Sequence, residues 1–361
     1  MGSTSIAWLR NDLRLADNPA LSAAMRAGER AVAVYVHETG QGIRPPGAAA
    51  RWWLHHSLDA IGAALAACGI ELIVRQGDAL TVLPGLVAER NATAVFWNRR
   101  YAAGERDADT AIMTRLKNDG IAVQSFAANL LVEPWEIATG QSKPYSVFTP
   151  FWKTLREMPM AAPQRRPDAG KPIAPSPVDG GYRAPLWSRK LAPHWAIGES
   201  AAQERLVTFL DEQLAHYAEG RDFPGQNATS RLSPHLRFGE ISPRQVWHAA
   251  QAIAHADHTK QAAVDKFLSE LAWRDFSYHQ LYHRADIASV PMQPKYADMA
   301  WRDAEADLAA WQQGQTGLPI VDAGMRELWE TGYMQNRVRM LAASLLAKNL
   351  LIDWRLGEQW F

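Results

Sequence analysis

At 361 residues with 47% apolar side chains, the chain is long for one domain and has ample material for sizeable cores. Its 38 basic residues balance 38 acidic ones, and residues 201–361 hold 16 Lys/Arg against 20 Asp/Glu, so bulk charge excludes a generally basic nucleic-acid-binding domain. A single cysteine, Cys68, excludes an internal disulfide framework and any multi-cysteine metal site, and no metal centre is expected. No apolar run reaches membrane-spanning length, and MGSTSIAWLRNDLR at the N-terminus lacks the pattern of an export signal. These features predict a soluble, cytoplasmic protein with no membrane contact.

Residues 1–130 alternate short apolar runs with helical periodicity. Strands are expected at Ile6–Leu9, Ala31–Val36, Glu71–Val74, Ala94–Trp97 and Ala122–Phe126, with helices near 19–27, 48–67, 78–89 and 105–118. Alternation of this kind predicts a doubly wound, Rossmann-like parallel sheet. The first strand runs into Arg10-Asn11-Asp12 rather than a glycine fingerprint, so no nicotinamide site is indicated.

Residues 131–200 read as a connector, because eleven of the 21 prolines fall there with little periodicity. Within it, Thr149-Pro150 looks like a helix start. From about residue 201 only helices are expected, at Leu206–Ala218, Phe267–Leu281, Ala304–Gln313, Ala323–Thr331 and Gln335–Leu351. Ser233-Pro234 and Ser242-Pro243 are expected N-caps, and Gly239 a C-terminal stop. The fold class is therefore α/β plus all-α, divided as 1–130, 131–200 and 201–361.

Three segments carry chemistry. Thr229-Ser230-Arg231-Leu232-Ser233 offers hydroxyls and an arginine suited to a phosphate. On a helix, Glu270, Trp273 and Arg274 share a face, combining a carboxyl group, a flat ring and a guanidinium, as recognition of a base taken out of the duplex requires. Asn336 and Arg337 lie on an otherwise apolar helix, where buried polar groups need partners. Fifteen tryptophans are present, most of them expected as core anchors.

Tyr217, Gly220-Arg221-Asp222-Phe223-Pro224, the T-S-R-L-S run, Phe238-Gly239-Glu240-Ile241-Ser242, Glu270–Phe276 (ELAWRDF) and Met334–Met340 (MQNRVRM) together resemble the photolyase/cryptochrome family, most closely the photolyases that repair cyclobutane pyrimidine dimers. The resemblance implies FAD held by Tyr217, Thr229, Ser230, Arg231, Leu232, Ser233, Phe267, Glu270, Arg274, Asn336 and Arg339. It implies ultraviolet-damaged DNA as partner, contacted by Arg221, Glu270, Trp273, Asn336, Arg337 and Met340. Glu270, Trp273 and Asn336 would be catalytic, acting on a flipped-out dimer that takes an electron from the reduced flavin. Trp301 and Trp354 match electron-transfer positions. An antenna chromophore, methenyltetrahydrofolate or a deazaflavin, is implied near Glu105 and the loop Asn98–Arg106, with 143–152 closing over it. Gln335 stands where repair photolyases typically carry histidine, which disfavours the relative acting on (6-4) photoproducts.

The resemblance also implies that the family core continues past the position of Phe361, with aspartates near the flavin, one of them the partner of Arg339, and further tryptophans. Alternatives to a working repair enzyme are a cryptochrome-like photoreceptor and an inactive truncated fragment. Nothing in the pattern suggests an obligate interface, so a monomer is expected.

Overall fold

The computed structural model describes residues 3–168, 170–178 and 182–361, and the connector positions 169 and 179–181 lie outside them. The chain divides into two compact units that interleave along the sequence. Unit 1 comprises residues 1–184, 196–215 and 230–283; unit 2 comprises 185–195, 216–229 and 284–361.

Unit 1 is built on five parallel strands, β1 (Thr4–Leu9), β2 (Arg30–Glu38), β3 (Glu71–Gly77), β4 (Ala92–Asn98) and β5 (Ala122–Phe126), in the order β3-β2-β1-β4-β5. Every expected strand forms, and the helices between them form as α1 (Pro19–Ala27), α2 (Ala48–Ala67), α3 (Ala79–Arg90) and α4 (Ala103–Asn118). The central strands β1 and β4, buried on both faces, read as near-continuous apolar runs, and the runs located them. In register, Ile6 sits opposite both Val32 and Val95. Ile6, Trp8, Val32, Val34 and Val95 meet Leu83 and Leu86 of α3 and Ile112 and Leu116 of α4 in one core.

The same unit contains the helix α5 (Phe148–Leu155) and the helices Glu199–Thr208, Pro243–Ala256 and Gln261–His283. Two devices tie them to the sheet layer. Arg14, fully buried, donates to the carbonyls of Asp17 (2.8 Å), Gly239 (2.9 Å) and Ala128 (3.0 Å). Beside it the Leu13 N–H donates to the Phe238 carbonyl (3.1 Å), and Gly239 ends the helix Ser233–Phe238 at φ +68°. A Cβ at Gly239 would lie 2.0 Å from the Asn11 carbonyl oxygen, so the close approach of the two backbones requires glycine.

Sequence expectations need correction at several elements. The helix read as Leu206–Ala218 instead runs from Glu199 to Thr208 and continues as a π turn over Phe209–Gln213, then a 3₁₀ turn at Leu214–His216. Phe209 and Leu214 are both buried at a spacing of five residues, which the wider π turn places on one side. Ser242 caps its helix, exchanging hydrogen bonds with Gln245 (3.0 and 2.8 Å), but Ser233 is the first helical residue, with Leu232 at the cap position and no side-chain cap bond.

Unit 2 is helical, with Glu305–Gln313, Pro319–Thr331, Asn336–Ser344 and Trp354–Trp360 around a core of Trp311, Val321, Met325, Val338 and Leu346. The last expected helix, Gln335–Leu351, ends earlier and gives way to a π turn at Leu345–Asn349. No helix among the described residues is long and apolar enough to cross a membrane.

Candidate functional site

In unit 1, the helix Gln261–His283 carries four of the expected site residues. Phe267 is buried against Phe209, with ring centroids 4.6 Å apart. Glu270 accepts from Lys266 Nζ at 3.0 Å on the same helix, rather than pairing with Arg274. The Arg274 guanidinium donates to the carbonyls of Asn129 and Leu236 and lies 4.9 Å from the Tyr278 ring, so it fixes its helix to the loop after β5 and to the helix Ser233–Phe238. Trp273 is 44% exposed and stacked on Phe148, at 3.8 Å between centroids with 10° between planes.

Ser230, Arg231, Leu232 and Ser233 belong to the same unit. Arg231 sits at φ +51°, the left-handed region that is costly for a side-chain-bearing residue, so the run turns sharply there. The Ser230 hydroxyl accepts from the Leu232 N–H at 3.4 Å. Hydroxyls and a guanidinium gathered on one bend are a donor set suited to a diphosphate, so these residues fit the phosphate portion of FAD. No group of His, Cys, Asp or Glu able to hold a metal ion occurs among the described residues.

Several polar residues in and near these motifs serve structure. His235 Nδ1 and a Glu240 carboxylate oxygen are 2.5 Å apart, and the Trp53 indole N–H donates to Glu240 at 3.0 Å, all three side chains being buried. Asp275 Oδ1 accepts from the N–H groups of Leu131 (2.6 Å) and Val132 (3.3 Å), while Oδ2 has no hydrogen-bond partner among the described residues. Burial pushes this carboxyl up to about 7, against the opposing effect of Arg274 and the two N–H donors.

At the carboxyl edge of the sheet, the strand order reverses between β1 and β4, the usual ligand position in an open α/β sheet. Arg10 pairs with Asp109 (3.1 Å), and Arg100 pairs with both Glu38 and Asp109 (2.6 Å each). Asn98 donates to Asp12 and Asn18, and Arg99 pairs with Glu133 (3.1 Å). Glu105 accepts from the Ala102 N–H at the start of α4 (3.3 Å). Trp8 Nε1, Arg10 Nε and Arg100 Nε are buried donors without a partner among the described residues.

In unit 2, Tyr217 is buried, with the Arg221 guanidinium 5.4 Å from its ring. Thr229 Oγ1 and the Tyr333 hydroxyl are 3.5 Å apart. Gln335 holds the centre. Its Oε1 accepts from the N–H groups of Arg337 (2.6 Å) and Val338 (3.4 Å), capping the helix Asn336–Ser344, and its Nε2 donates to the Arg221 carbonyl. Arg337 Nε pairs with Asp222 at 2.6 Å, so the segment around Arg221 and the start of this helix form one assembly.

Asn336 is exposed and Arg337 only part-buried, which corrects the expectation that both are buried and demand internal partners; Met340 is 56% exposed. The Arg339 guanidinium lies 4.4 Å from the Phe361 ring, and burial pulls its pKa down. Trp301 and Trp354 are part-buried, and the Arg302 N–H donates to the Leu351 carbonyl (2.7 Å), joining the two segments that carry them. A further aromatic group went unread in the sequence: Trp311, fully buried, contacts Trp360 and Phe361, each at 5.5 Å.

Residues 5–168 match the family DNA photolyase, and residues 267–361 match the FAD binding domain of DNA photolyase. The chain is 43% identical over 364 residues to the deoxyribodipyrimidine photo-lyase of Agrobacterium fabrum, covering 99% of this chain and 75% of that one. The chain belongs to the DNA photolyase family. The solved structure of a bacterial class III photolyase from Agrobacterium tumefaciens shares this photolyase fold, at a TM-score of 0.93 and 42% identity, covering 99% of this chain and 75% of that one. The chain is also 35% identical over 380 residues to Cryptochrome-1 of Arabidopsis thaliana, covering all of this chain and 55% of the relative. The stretch that matches the FAD binding domain includes Phe267, Glu270, Trp273, Arg274, Asn336 and Arg339, whereas Tyr217 and Thr229 to Ser233 lie before it.

Proposed function

We propose that the protein is a light-dependent DNA repair enzyme that reverses cyclobutane pyrimidine dimers. The observation that carries this reading is Trp273, a large flat ring left 44% exposed on a helix whose neighbouring positions Leu271, Ala272, Asp275 and Phe276 are buried. An open indole beside the Glu270 carboxyl suits a pyrimidine pulled out of the duplex, which has lost its stacking partners. When bound and reduced, FAD supplies the electron that opens the cyclobutane ring.

The chain's own residues bind and orient. Trp273 stacks on the extruded dimer, and Glu270 hydrogen-bonds its base edge. Arg221, buried beside the Tyr217 ring, is the proposed contact for backbone phosphate, and Arg337 stands with Asn336 where flavin and lesion meet. Asn336 and Met340, both exposed and four residues apart on their helix, face the lesion, and Tyr217, Thr229 to Ser233, Phe267, Arg274 and Arg339 hold the flavin. Trp301 and Trp354 would pass electrons towards it.

In this reading, residues 1–130 carry an antenna, a folate or deazaflavin, at the sheet edge where Trp8 Nε1, Arg10 Nε and Arg100 Nε have no hydrogen-bond partner among the described residues. Residues 131–200 connect, and 201–361 carry flavin and DNA contacts in a soluble, cytoplasmic, monomeric protein. Retention of Glu270, Trp273, Asn336 and Met340 together favours repair over a photoreceptor role. The test is dimer content after blue light and after darkness, with flavin-loaded protein; equal counts remove the reading.

A further inference from the structure

We propose that Phe148 is a positioning residue for Trp273: it backs one face of the indole and holds the other out as the stacking platform. This rests on the DNA-repair reading above. The two rings are almost parallel, 10° apart in plane and 3.8 Å apart at their centroids. Phe276 closes the arrangement edge-on, 5.9 Å from Phe148 at 73° and 5.7 Å from Trp273 at 82°. Trp273 is still 44% exposed with one face covered, so the open area is the opposite face and the outer edge.

Phe148 is itself held in place. It opens α5, whose Phe151 and Leu155 are fully buried against Ala272 and Phe276. Just before it, the Tyr145 N–H donates to His279 Nε2 (3.0 Å), and Gln280 Nε2 donates to the Tyr145 carbonyl. The Tyr145 hydroxyl and Thr154 Oγ1 are 2.7 Å apart, closing the strap on itself. His279 and Gln280 lie on the same helix as Trp273, less than two turns further on. Because His279 Nε2 accepts, the ring is neutral and its Nδ1–H donates to the Pro134 carbonyl at 3.1 Å. Phe148 is thereby registered to the helix that bears Trp273.

The physical consequence is preorganisation. An exposed indole on its own samples several rotamers, and a stacking base would have to select one, at an entropic cost. A phenyl ring against one face removes most of those rotamers before any base arrives. The pyrimidine then adds a third layer to an existing stack of Phe148 and Trp273.

The experiment measures binding of a duplex bearing one thymine dimer and of the same undamaged duplex, at fixed salt, for the flavin-loaded wild type, F148A, F148L, F148Y, W273A and the double variant F148A/W273A. F148A is expected to lower the preference for damaged DNA about three- to tenfold, the range of one aromatic pair. F148Y should restore the preference, and in the W273A background F148A should change nothing further. F148L keeps apolar volume without a flat ring and is read in the same way if F148A does not fold. An unchanged preference in F148A or F148L, or an equal loss with and without Trp273, overturns the positioning role alone. A wild type that does not prefer damaged DNA overturns the repair reading and this role with it.

Discussion

Replacing Gly239 by alanine probes the junction on which unit 1 depends. The new Cβ would lie 2.0 Å from the Asn11 carbonyl oxygen and 2.5 Å from the Asp12 Cα, both backbone atoms that cannot rotate aside. The residue is at φ +68°, where alanine costs about 1 kcal/mol more than glycine. Shifting residues 11–13 would also break the bond from the Leu13 N–H to Phe238 and remove an acceptor from the buried Arg14, at about 1 kcal/mol for the first and about 1–3 kcal/mol for the second. The sum is about 3–5 kcal/mol, or a fall in Tm of roughly 6–20 °C for a unit of this size. Gly120 provides the control, since it has φ +79° but open space where a Cβ would go, so G120A should show the backbone cost alone. The assay is thermal unfolding followed by circular dichroism. A G239A shift no larger than that of G120A would refute the argument from close approach.

Two more outcomes follow from buried polar groups. Asp275 has a folded-state pKa of about 7, above the ordinary carboxylate value, so the folded protein keeps a proton that the unfolded chain releases. That contribution is complete below about pH 4 and lost as pH rises through 7. D275N cannot titrate, so wild type should lose Tm relative to D275N between pH 5 and pH 8; parallel curves would count against a buried neutral acid. Q335A removes both the cap of the helix Asn336–Ser344 and the bond to the Arg221 carbonyl, and should destabilise unit 2 by about 1–3 kcal/mol. Urea unfolding with an unchanged midpoint would assign Gln335 no such role.

The strands and α1–α4 were legible because a buried parallel sheet writes apolar runs at regular intervals between amphipathic helices. The site helix Gln261–His283 was legible in the same way, and Glu270, Trp273 and Arg274 by their spacing on it. What could not be read were contacts distant in sequence. Arg14 looks like any charged residue after a strand until three carbonyls from residues 17, 128 and 239 converge on it. Gln335 reads as a missing histidine, whereas its amide both donates and accepts, which lets it cap one segment and hold another. Phe148 reads as the residue before an expected Thr149-Pro150 helix start and as part of the segment 143–152 expected over the antenna, because stacking on Trp273 across 125 positions leaves no periodic trace. Asn336 was expected to be buried because its neighbours are apolar; it is the first residue of its helix, where side chains reach solvent.

In the proposed reading, this chain repairs dimers in light through Glu270 and Trp273. The most direct measurement is the number of thymine dimers reversed per photon absorbed by flavin-loaded protein, in wild type and E270A, with a dark control. Reversal is expected only in light, with a yield in E270A that falls further than its flavin content. Reversal in darkness, none in light, or an E270A yield that merely follows flavin content would contradict it.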